Sequence, residues 1–470
     1  MKHKFNPISA AALNILLWGL CLKLSISVSA QTNLAGERLM SKPPILAWDG
    51  PVDGSVVTNN VFYGKDSGLF VYSGADVQDM GANWPAKLFK VGLGITAKWG
   101  FLPYRVEFDS DASLIRLFSI GTQAKYRARV DGEFVSLEAL QGPVADGHLY
   151  WLRITSADSR MRHYEFDMFG QAFGGVSVEN AFTVARSSRA LGPRCIVLGD
   201  SYTEGLTCYA QRLGDIMGWE TWSSGSGGTG YINSGPTGSG RFKFMDRVHW
   251  DVIAYNPDIV IVAGGLNDPI ADDQGNSIGA VAGALYDCLV TNLPKAKIVV
   301  VGSWWPTGWP IQLVCDRQSQ LKAAAESRGL LFIDPIITTN VNVGNAGWIT
   351  GTGNAGNPKG DGNADVYISS DGTHPTDLGH QYLAVKLAEK LRGIMVTDPT
   401  PRIDLTMNPS LTLYGKLGRK YLIQKSTSLS QQTIWSDCAT ITLTNYPQVW
   451  IDPLTTQSSP TSFYRSLLLP

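Results

Sequence analysis

The sequence predicts an α/β domain with a parallel sheet in the middle of the chain, flanked by an N-terminal β-sandwich and a small C-terminal β domain. Three observations predict it. Near residue 194 the texture changes to continuous β-branched runs, Cys195-Ile196-Val197-Leu198, Ile259-Val260-Ile261-Val262 and Ile298-Val299-Val300-Val301, as expected of strands buried on both faces. Between and after them lie helical patterns at Ile278–Leu289, Gln318–Ser327 and Leu378–Leu391. On either side the apolar runs are short and bounded by Gly, Asp and Asn, which marks separate β regions.

In chain order, residues 1–30 read as a secretory signal. Lys2 and Lys4 precede a mostly apolar stretch from Ile8 to Leu22, and Val28-Ser29-Ala30 offers small residues for cleavage. Cys21 follows Leu20, too large a residue for the usual lipidation site. No later stretch approaches the ~18 uninterrupted apolar residues of a membrane span. Residues 31–190 hold runs such as Ile45-Leu46-Ala47-Trp48, Tyr104-Arg105-Val106-Glu107-Phe108 and Tyr126-Arg127-Ala128-Arg129-Val130. The last two alternate in polarity, and Asp131-Gly132 is a hairpin signal; many short strands at regular spacing predict the sandwich. The α/β domain is placed at 191–396, a linker at 397–401 (Thr397-Asp398-Pro399-Thr400-Pro401), and the C-terminal β domain at 402–470, with runs such as Tyr421-Leu422-Ile423-Gln424.

Composition bounds the function. Hydrophobic content is 44% and charged content 17%, which excludes a disordered chain. Lys+Arg total 39 against 40 Asp+Glu, which argues against a dedicated nucleic-acid binder. Loss of residues 1–30 removes Lys2, Lys4 and Lys23, so the charge goes from −1 to about −4. Five cysteines remain: Cys195, Cys208, Cys288, Cys315 and Cys438. Their spacing matches no metal site, and their odd number leaves at least one free thiol, with one or two bridges open to the rest.

The chemistry sits in three segments. The strand Ile196-Val197-Leu198 runs into Gly199-Asp200-Ser201, with a helix read from Tyr202 to Arg212. A Ser at that junction lies on the carboxyl edge of a parallel sheet, where ligands bind, and at a helix N-terminus that favours negative charge. The strand Ile259–Ala263 runs into Gly264-Gly265-Leu266-Asn267-Asp268, placing the Asn267 amide on the same edge, where it can donate to an oxyanion. In Asp371-Gly372-Thr373-His374-Pro375, a carboxylate three residues before an imidazole can fold onto Nδ1 and leave Nε2 to take a proton from Ser201. Pro375 holds His374 extended, ahead of a helix from about Asp377.

These three blocks, in this order, resemble those of the GDSL/SGNH hydrolase family over residues 194–396, fewer than half of the total. The resemblance implies a flavodoxin-like sheet and ester hydrolysis with no metal or cofactor. Ser201 would be the nucleophile, His374 the general base and acid, and Asp371 its orienting partner. The oxyanion would be held by the Ser201 N–H, the Asn267 side chain and a Gly N–H. That glycine falls in Ser226-Gly227-Gly228-Thr229; Gly227 is favoured, with Gly228 close behind, and the register stays open because the family often has Asp after this Gly where this chain has Gly228. Asp200 and Asp268 read as loop braces. Two other patterns mislead. Gly225-Ser226-Gly227-Gly228-Thr229-Gly230 lacks the helix a dinucleotide site needs, and Gly275-Asn276-Ser277-Ile278-Gly279 lacks a preceding strand, so Ser277 is read as a helix N-cap. His380 is read as structural, and His249 has no obvious partner.

Trp304, Trp305 and Trp309 follow the strand Ile298–Val301 and are expected near the active edge as substrate contacts, with the Gly/Asn/Asp-rich loop Gly347–Gly372 as a cleft wall. The N-terminal region, with Tyr126 to Gly132 and Arg160 to Glu165, resembles the β-sandwich that precedes the catalytic domain in some secreted carbohydrate esterases, and the tail, with Tyr421 to Thr427 and Phe463-Tyr464-Arg465, resembles a C-terminal β module of exported bacterial proteins. The expectation is a secreted bacterial serine esterase that removes acetyl groups from a polysaccharide or oligosaccharide. The alternatives are a general short-chain or lipase-like esterase and, in another class, a glycan-binding or adhesion protein with a vestigial hydrolase.

Overall fold

The computed structural model describes residues 36–395 apart from 55–56, 94–101, 188, 190 and 338–343, together with 402–405, 410–414, 418–426, 434–444, 448–451 and 463–469. The signal-like segment 1–30 and the linker 397–401 lie outside the described residues. Among those described, no helix is long and apolar enough to cross a membrane. The chain divides into two compact units, residues 1–385 and 386–470.

At the centre of the first unit is a five-stranded sheet in which every neighbouring pair is parallel. Its order is Glu220–Gly225, Arg194–Gly199, Ile259–Ala263, Lys297–Val301, Leu331–Ile333. In chain order this is 2-1-3-4-5, the flavodoxin-like winding, whose switch point lies between the first and third strands at their carboxyl ends. Strand interiors such as Ile196, Val197, Val260, Ile261 and Val300 are fully buried because helices cover the sheet. Helices at Ile278–Asn292 and Gln312–Glu326 occupy the segments where the sequence shows helical periodicity. Ser277 caps the first of these, its hydroxyl accepting the Ala280 N–H at 3.2 Å.

The described residues of 45–185 form two large antiparallel sheets and a separate two-stranded one, Asp76–Asp79 with Lys90–Leu93. One large sheet runs Ile45–Val52, Leu149–Thr155, Leu114–Ile120, Gly175–Glu179, Asn60–Gly64. The other has Lys125–Val130, Arg162–Phe169 and Tyr104–Ser110 at its centre. Their facing side chains share one core: Val106, Phe108, Tyr164 and Phe166 from one sheet, Ile115, Leu117, Leu152 and Val176 from the other. Period-2 alternation sends Arg105, Glu107, Arg127, Arg129, Glu165 and Asp167 to the opposite face. That face is buried too, so its charges are paired (Arg105–Asp167 2.6 Å, Arg129–Asp167 2.7 Å). The Asp131-Gly132 turn has positive φ at both residues (52° and 82°), as a two-residue hairpin requires.

The second unit, described by itself, holds two three-stranded antiparallel sheets around Leu411, Leu413, Tyr421, Ile423, Ile441 and Leu443. All five cysteines of residues 36–470 are free thiols, so the bridges left open by the sequence are not formed.

Candidate active site

Ser201 follows directly on the strand Arg194–Gly199, but it does not begin a helix. Residues 201–208 run as turns and bends, and the helix covers Tyr209–Met217. The expected helix from Tyr202 is thereby corrected. The cause is local: Asp200 Oδ1 takes the Tyr202 N–H at 3.0 Å and the Asp200 carbonyl takes the Thr203 N–H at 3.0 Å, a side-chain-stabilised turn competing with the helical ladder. The turn presses against the neighbouring strand at Gly225. A Cβ there would lie 2.3 Å from the Glu204 nitrogen, so only glycine allows the approach.

The Asp371/His374 pair sits on a small closed hairpin. Ile368 bridges Pro375, and the Ser369 N–H donates to the His374 carbonyl at 2.8 Å. Gly372 turns the chain at φ 70°. Asp371 Oδ1 accepts the Thr373 N–H (2.8 Å), the His374 N–H (2.9 Å) and the Ser369 hydroxyl (2.7 Å). Its Oδ2 lies 2.7 Å from His374 Nδ1, and His374 Nε2 lies 2.9 Å from Ser201 Oγ. Partial burial works against the charge on Asp371, but the hydrogen bonds from His374, Thr373 and Ser369 outweigh it and hold the carboxyl well below its ordinary range. The helix after the hairpin starts at Asp377, where Pro375 leads the sequence to expect it.

Asn267 lies on the same sheet edge. Its Nδ2 donates to the Thr229 carbonyl at 3.1 Å and reaches Asp200 Oδ2 at 3.4 Å. Asp200 is fully buried, and desolvation pushes its carboxyl up to about 7. Asp268 braces the glycine-rich loop, accepting the N–H groups of Tyr231 (3.1 Å), Ile232 (2.7 Å) and Asn233 (2.9 Å). Both carboxylates make the bracing contacts read from the sequence.

Within the loop, the Gly227 N–H is committed to Glu204 Oε2 at 2.8 Å, and Arg241 donates to the Gly227 carbonyl. Among the described residues no acceptor takes the Gly228 N–H. The structure therefore places Gly227 in a clamp and leaves Gly228 with the available donor.

The three tryptophans do not share one role. Trp304 is only 2% exposed and stacks parallel to Tyr202 (6.2 Å, 2°), with Tyr209 and Trp348 against it. It packs against the residue after Ser201, and its burial limits the expected substrate contact to the edge it shows to an adjoining slot. Trp304 and Trp305 both line an apolar slot with Tyr202, Trp348, Tyr367 and Pro375, residues next to Ser201 and His374 among them; the cavity within it is about 10 Å³, close to the size of a single water. Trp309 is 47% exposed. The loop 347–372 is held by its own Asn and Asp side chains. Asn363 Oδ1 accepts the Thr350 N–H at 2.8 Å and Asp365 Oδ1 the Lys359 N–H at 2.8 Å, which explains its composition.

Several contributors escape the sequence reading. Arg247 is fully buried and donates to the Gly199 carbonyl (2.6 Å), the Ser224 carbonyl (3.0 Å) and Asp251 (2.9 Å), tying the ends of two strands beside the nucleophile. Its i,i+4 spacing to Asp251 was the available signal. The Tyr202 hydroxyl donates to the Thr373 carbonyl, joining the Ser201 turn to the His374 hairpin. His380 accepts the Tyr209 N–H on Nδ1 at 3.2 Å, capping the helix Tyr209–Met217, and His249 Nε2 has Cys288 Sγ at 3.7 Å.

The GDSL-like Lipase/Acylhydrolase family matches residues 197–382. A GDSL lipase of Mycobacterium tuberculosis, Rv0518, is 26% identical over 204 residues, 41% of this chain and 78% of the relative. Among solved structures, the salicylyl-acyltransferase SsfX3 from a tetracycline biosynthetic pathway superposes with a TM-score of 0.52 at 13% identity, over 73% of this chain and 99% of its own, and shares the fold. A family two carbohydrate esterase from Cellvibrio japonicus gives 0.49 at 15% identity, over 72% and 98%. Over residues 197–382 the chain is similar to the GDSL-like Lipase/Acylhydrolase family, and this similarity supports a carboxylic ester hydrolase.

Proposed function

We propose that the chain is a secreted bacterial serine esterase that removes acetyl groups from a polysaccharide through an acyl-enzyme. The observation that carries the catalytic part is the unbroken line from Asp371 Oδ2 to His374 Nδ1 (2.7 Å) and from His374 Nε2 to Ser201 Oγ (2.9 Å). Ser201 Oγ attacks the ester carbonyl as Nε2 takes its proton. The tetrahedral intermediate collapses, His374 returns the proton to the leaving sugar oxygen, and the acyl group stays on Ser201. A water, deprotonated by His374, then attacks the acyl-enzyme and frees the acid and Ser201. Asp371 keeps the imidazole in the productive tautomer and stabilises the imidazolium.

The oxyanion is held by the Ser201 N–H, the Gly228 N–H and the Asn267 amide. Gly228 replaces Gly227 in this reading because Glu204 already occupies the Gly227 N–H. The 3.4 Å contact from Asn267 to Asp200 is long for a hydrogen bond, and a carboxyl raised to about 7 by burial accepts weakly near neutrality. That N–H is the one an oxyanion takes over.

The acyl size and the leaving group rest on other features. The slot lined by Tyr202, Trp304, Trp305 and Pro375 is apolar and almost filled by its own side chains, which leaves no room for a long acyl chain and favours a short one. Trp309, exposed, offers an aromatic face to a sugar ring. The near-zero charge of the chain favours an uncharged substrate. Export rests on the pattern in residues 1–30. The N-terminal sheets read as a β-sandwich and the C-terminal sheets as a separate β module of an exported enzyme.

Two assays test the proposal. Wild-type enzyme is expected to hydrolyse p-nitrophenyl acetate far faster than Ser201→Ala, and equal rates overturn the serine-esterase reading. Acetate release from acetylated xylan and pectin is then compared with rates on p-nitrophenyl esters of rising chain length. Glycan release with a preference for acetate supports the substrate; a long-chain preference with no glycan release replaces it with a lipase-like activity.

A further inference from the structure

The charged face of the N-terminal sheet meets the helix Tyr209–Met217 in two separate groups of ion pairs. In the first, Arg105 and Arg129 converge on Asp215 at 2.8 and 2.9 Å. In the second, the acceptor comes from the N-terminal side: Glu37, 5% exposed, sits between Arg127 of the sheet (2.9 Å) and Arg212 of the helix (3.1 Å). Glu37 is held there because the segment around it pairs with the hairpin strand Glu133–Phe134. The Phe134 N–H donates to the Arg38 carbonyl at 2.6 Å and the Met40 N–H to the Phe134 carbonyl at 2.9 Å.

Arg212 is the fully buried centre of this second group. Its Nε donates to Glu37. Its Nη1 donates to the Thr207 carbonyl at 2.6 Å and the Asp377 carbonyl at 3.2 Å, and its Nη2 to Asp377 Oδ1 at 2.7 Å. Thr207 belongs to the run of turns that starts at Ser201. Asp377 opens the helix three residues after His374. One guanidinium therefore ties both halves of the Ser201–His374 pair together, and its planar fork can hold that spacing in a way a flexible ammonium cannot.

The charges alternate: Arg127, Glu37, Arg212, Asp377. Removing Glu37 leaves two buried guanidinium groups that shared one oxygen facing each other, with Asp377 as the remaining carboxylate. A buried charge stripped of its partner moves or draws in water, and the group that moves here carries Thr207 and Asp377 with it.

We propose that Arg212 is a positioning residue for ester hydrolysis, locked in place by Glu37, so that the N-terminal β region completes the active site from behind. The proposal rests on the serine-esterase reading, and its test is arranged to fail separately. The variants are Glu37→Gln, Arg212→Lys, Arg212→Gln, the double variant Glu37→Gln/Arg212→Gln, and Asp215→Asn as a comparator in the same interface without a link to the Ser201 or His374 segments. Each is assayed for kcat and KM on p-nitrophenyl acetate, normalised to sites titrated with a covalent serine reagent, and for its denaturation midpoint.

Misplacing reacting groups by about 1 Å costs about 100-fold, so Arg212→Gln is expected to lose about 100-fold in kcat per titrated site and Glu37→Gln about 10-fold, both with KM nearly unchanged. Arg212→Lys should recover part of the loss. The double variant should be no slower than Arg212→Gln, because Glu37 acts through Arg212. Asp215→Asn should lower the midpoint and keep kcat. Wild-type kcat per site in Glu37→Gln, or a loss in Asp215→Asn equal to that in Glu37→Gln, overturns the proposal while Ser201→Ala still defines the enzyme. If Arg212→Gln does not fold, Glu37→Gln against Asp215→Asn decides alone. Wild-type activity no higher than Ser201→Ala overturns the esterase reading instead.

Discussion

Replacing Asn267 by alanine separates its two contacts. The amide gives one hydrogen bond to the Thr229 carbonyl at 3.1 Å, which braces the glycine-rich loop, and a long one to Asp200 at 3.4 Å, the donor available to the oxyanion. Loss of one oxyanion donor costs about 3–4 kcal/mol of transition-state stabilisation, or about 100- to 1,000-fold in kcat. Loss of the Thr229 bond, at a half-buried site, costs about 1 kcal/mol of folding stability. Asn267→Ala is therefore expected to fold, to unfold in urea at a slightly lower midpoint, and to turn over p-nitrophenyl acetate about two to three orders of magnitude more slowly per titrated site, with KM little changed. The acyl-enzyme should still form on Ser201, because the nucleophile and base are untouched. A kcat within a few-fold of wild type, or a loss confined to KM, refutes the assignment of Asn267 to the oxyanion and returns it to loop bracing alone.

Three further outcomes follow from burial and charge. Asp200, raised by desolvation to about 7, binds more protons folded than unfolded between its ordinary value of 3.8 and that value. Its contribution to stability therefore falls as pH rises across this window, and thermal midpoints of Asp200→Asn measured from pH 4 to 8 should lack that slope. His163 is raised to about 9, chiefly by the Glu165 carboxylate 3.5 Å from its Nε2 and further by Asp109 on Nδ1, against the effect of burial. The stability it adds is full below its ordinary 6.5 and is lost as pH rises through about 9, so His163→Gln should flatten the alkaline limb of the same midpoint curve, and an unchanged limb would refute the pairing. Trp304→Ala empties a site packed by Tyr202, Tyr209 and Trp348. It should cost about 3–5 kcal/mol in urea unfolding, whereas a stable variant with only a raised KM would restore Trp304 as a substrate contact.

What could be read from the sequence follows a physical division. The central strands were legible because fully buried parallel strands leave unbroken β-branched runs, as in Ile259–Val262. Asp371 and His374 were legible because their interaction is local, three residues apart on one hairpin. The helix after Ser201 was misplaced because Asp200 diverts the Tyr202 N–H into a turn, and an Asp before a helical pattern is ambiguous between cap and turn. Trp304 and Trp305 are adjacent in the chain and both border the slot, yet Trp304 is almost fully buried against Tyr202, Tyr209 and Trp348. Only the tertiary partners distinguish them. The contact from Glu37 to Arg212 spans 175 residues, and no local pattern announces it. The alternation of Tyr126-Arg127-Ala128-Arg129-Val130 showed that one face is charged, but not that this face is buried.

The distribution of these contacts explains how so open a triad can be held. Asp371 and His374 keep side-chain exposures of 52% and 43%, so burial does not fix them. The hairpin 368–375 does, by giving Asp371 the Ser369 hydroxyl, two backbone N–H groups and the imidazole. That makes the acid–base pair a unit assembled within a few residues, needing only correct placement against Ser201. Placement comes from buried groups on the far side. The Tyr202 hydroxyl on the Thr373 carbonyl and Arg212 on Thr207 and Asp377 both join the nucleophile segment to the histidine segment. The groups that set the Ser201–His374 spacing do not face solvent, so an exposed front leaves that spacing intact, as the proposed hydrolysis of an ester with a bulky alcohol requires. If Arg212 acts as the clamp proposed above, the segment around Glu37, held on the hairpin strand Glu133–Phe134, belongs to the framework of the site.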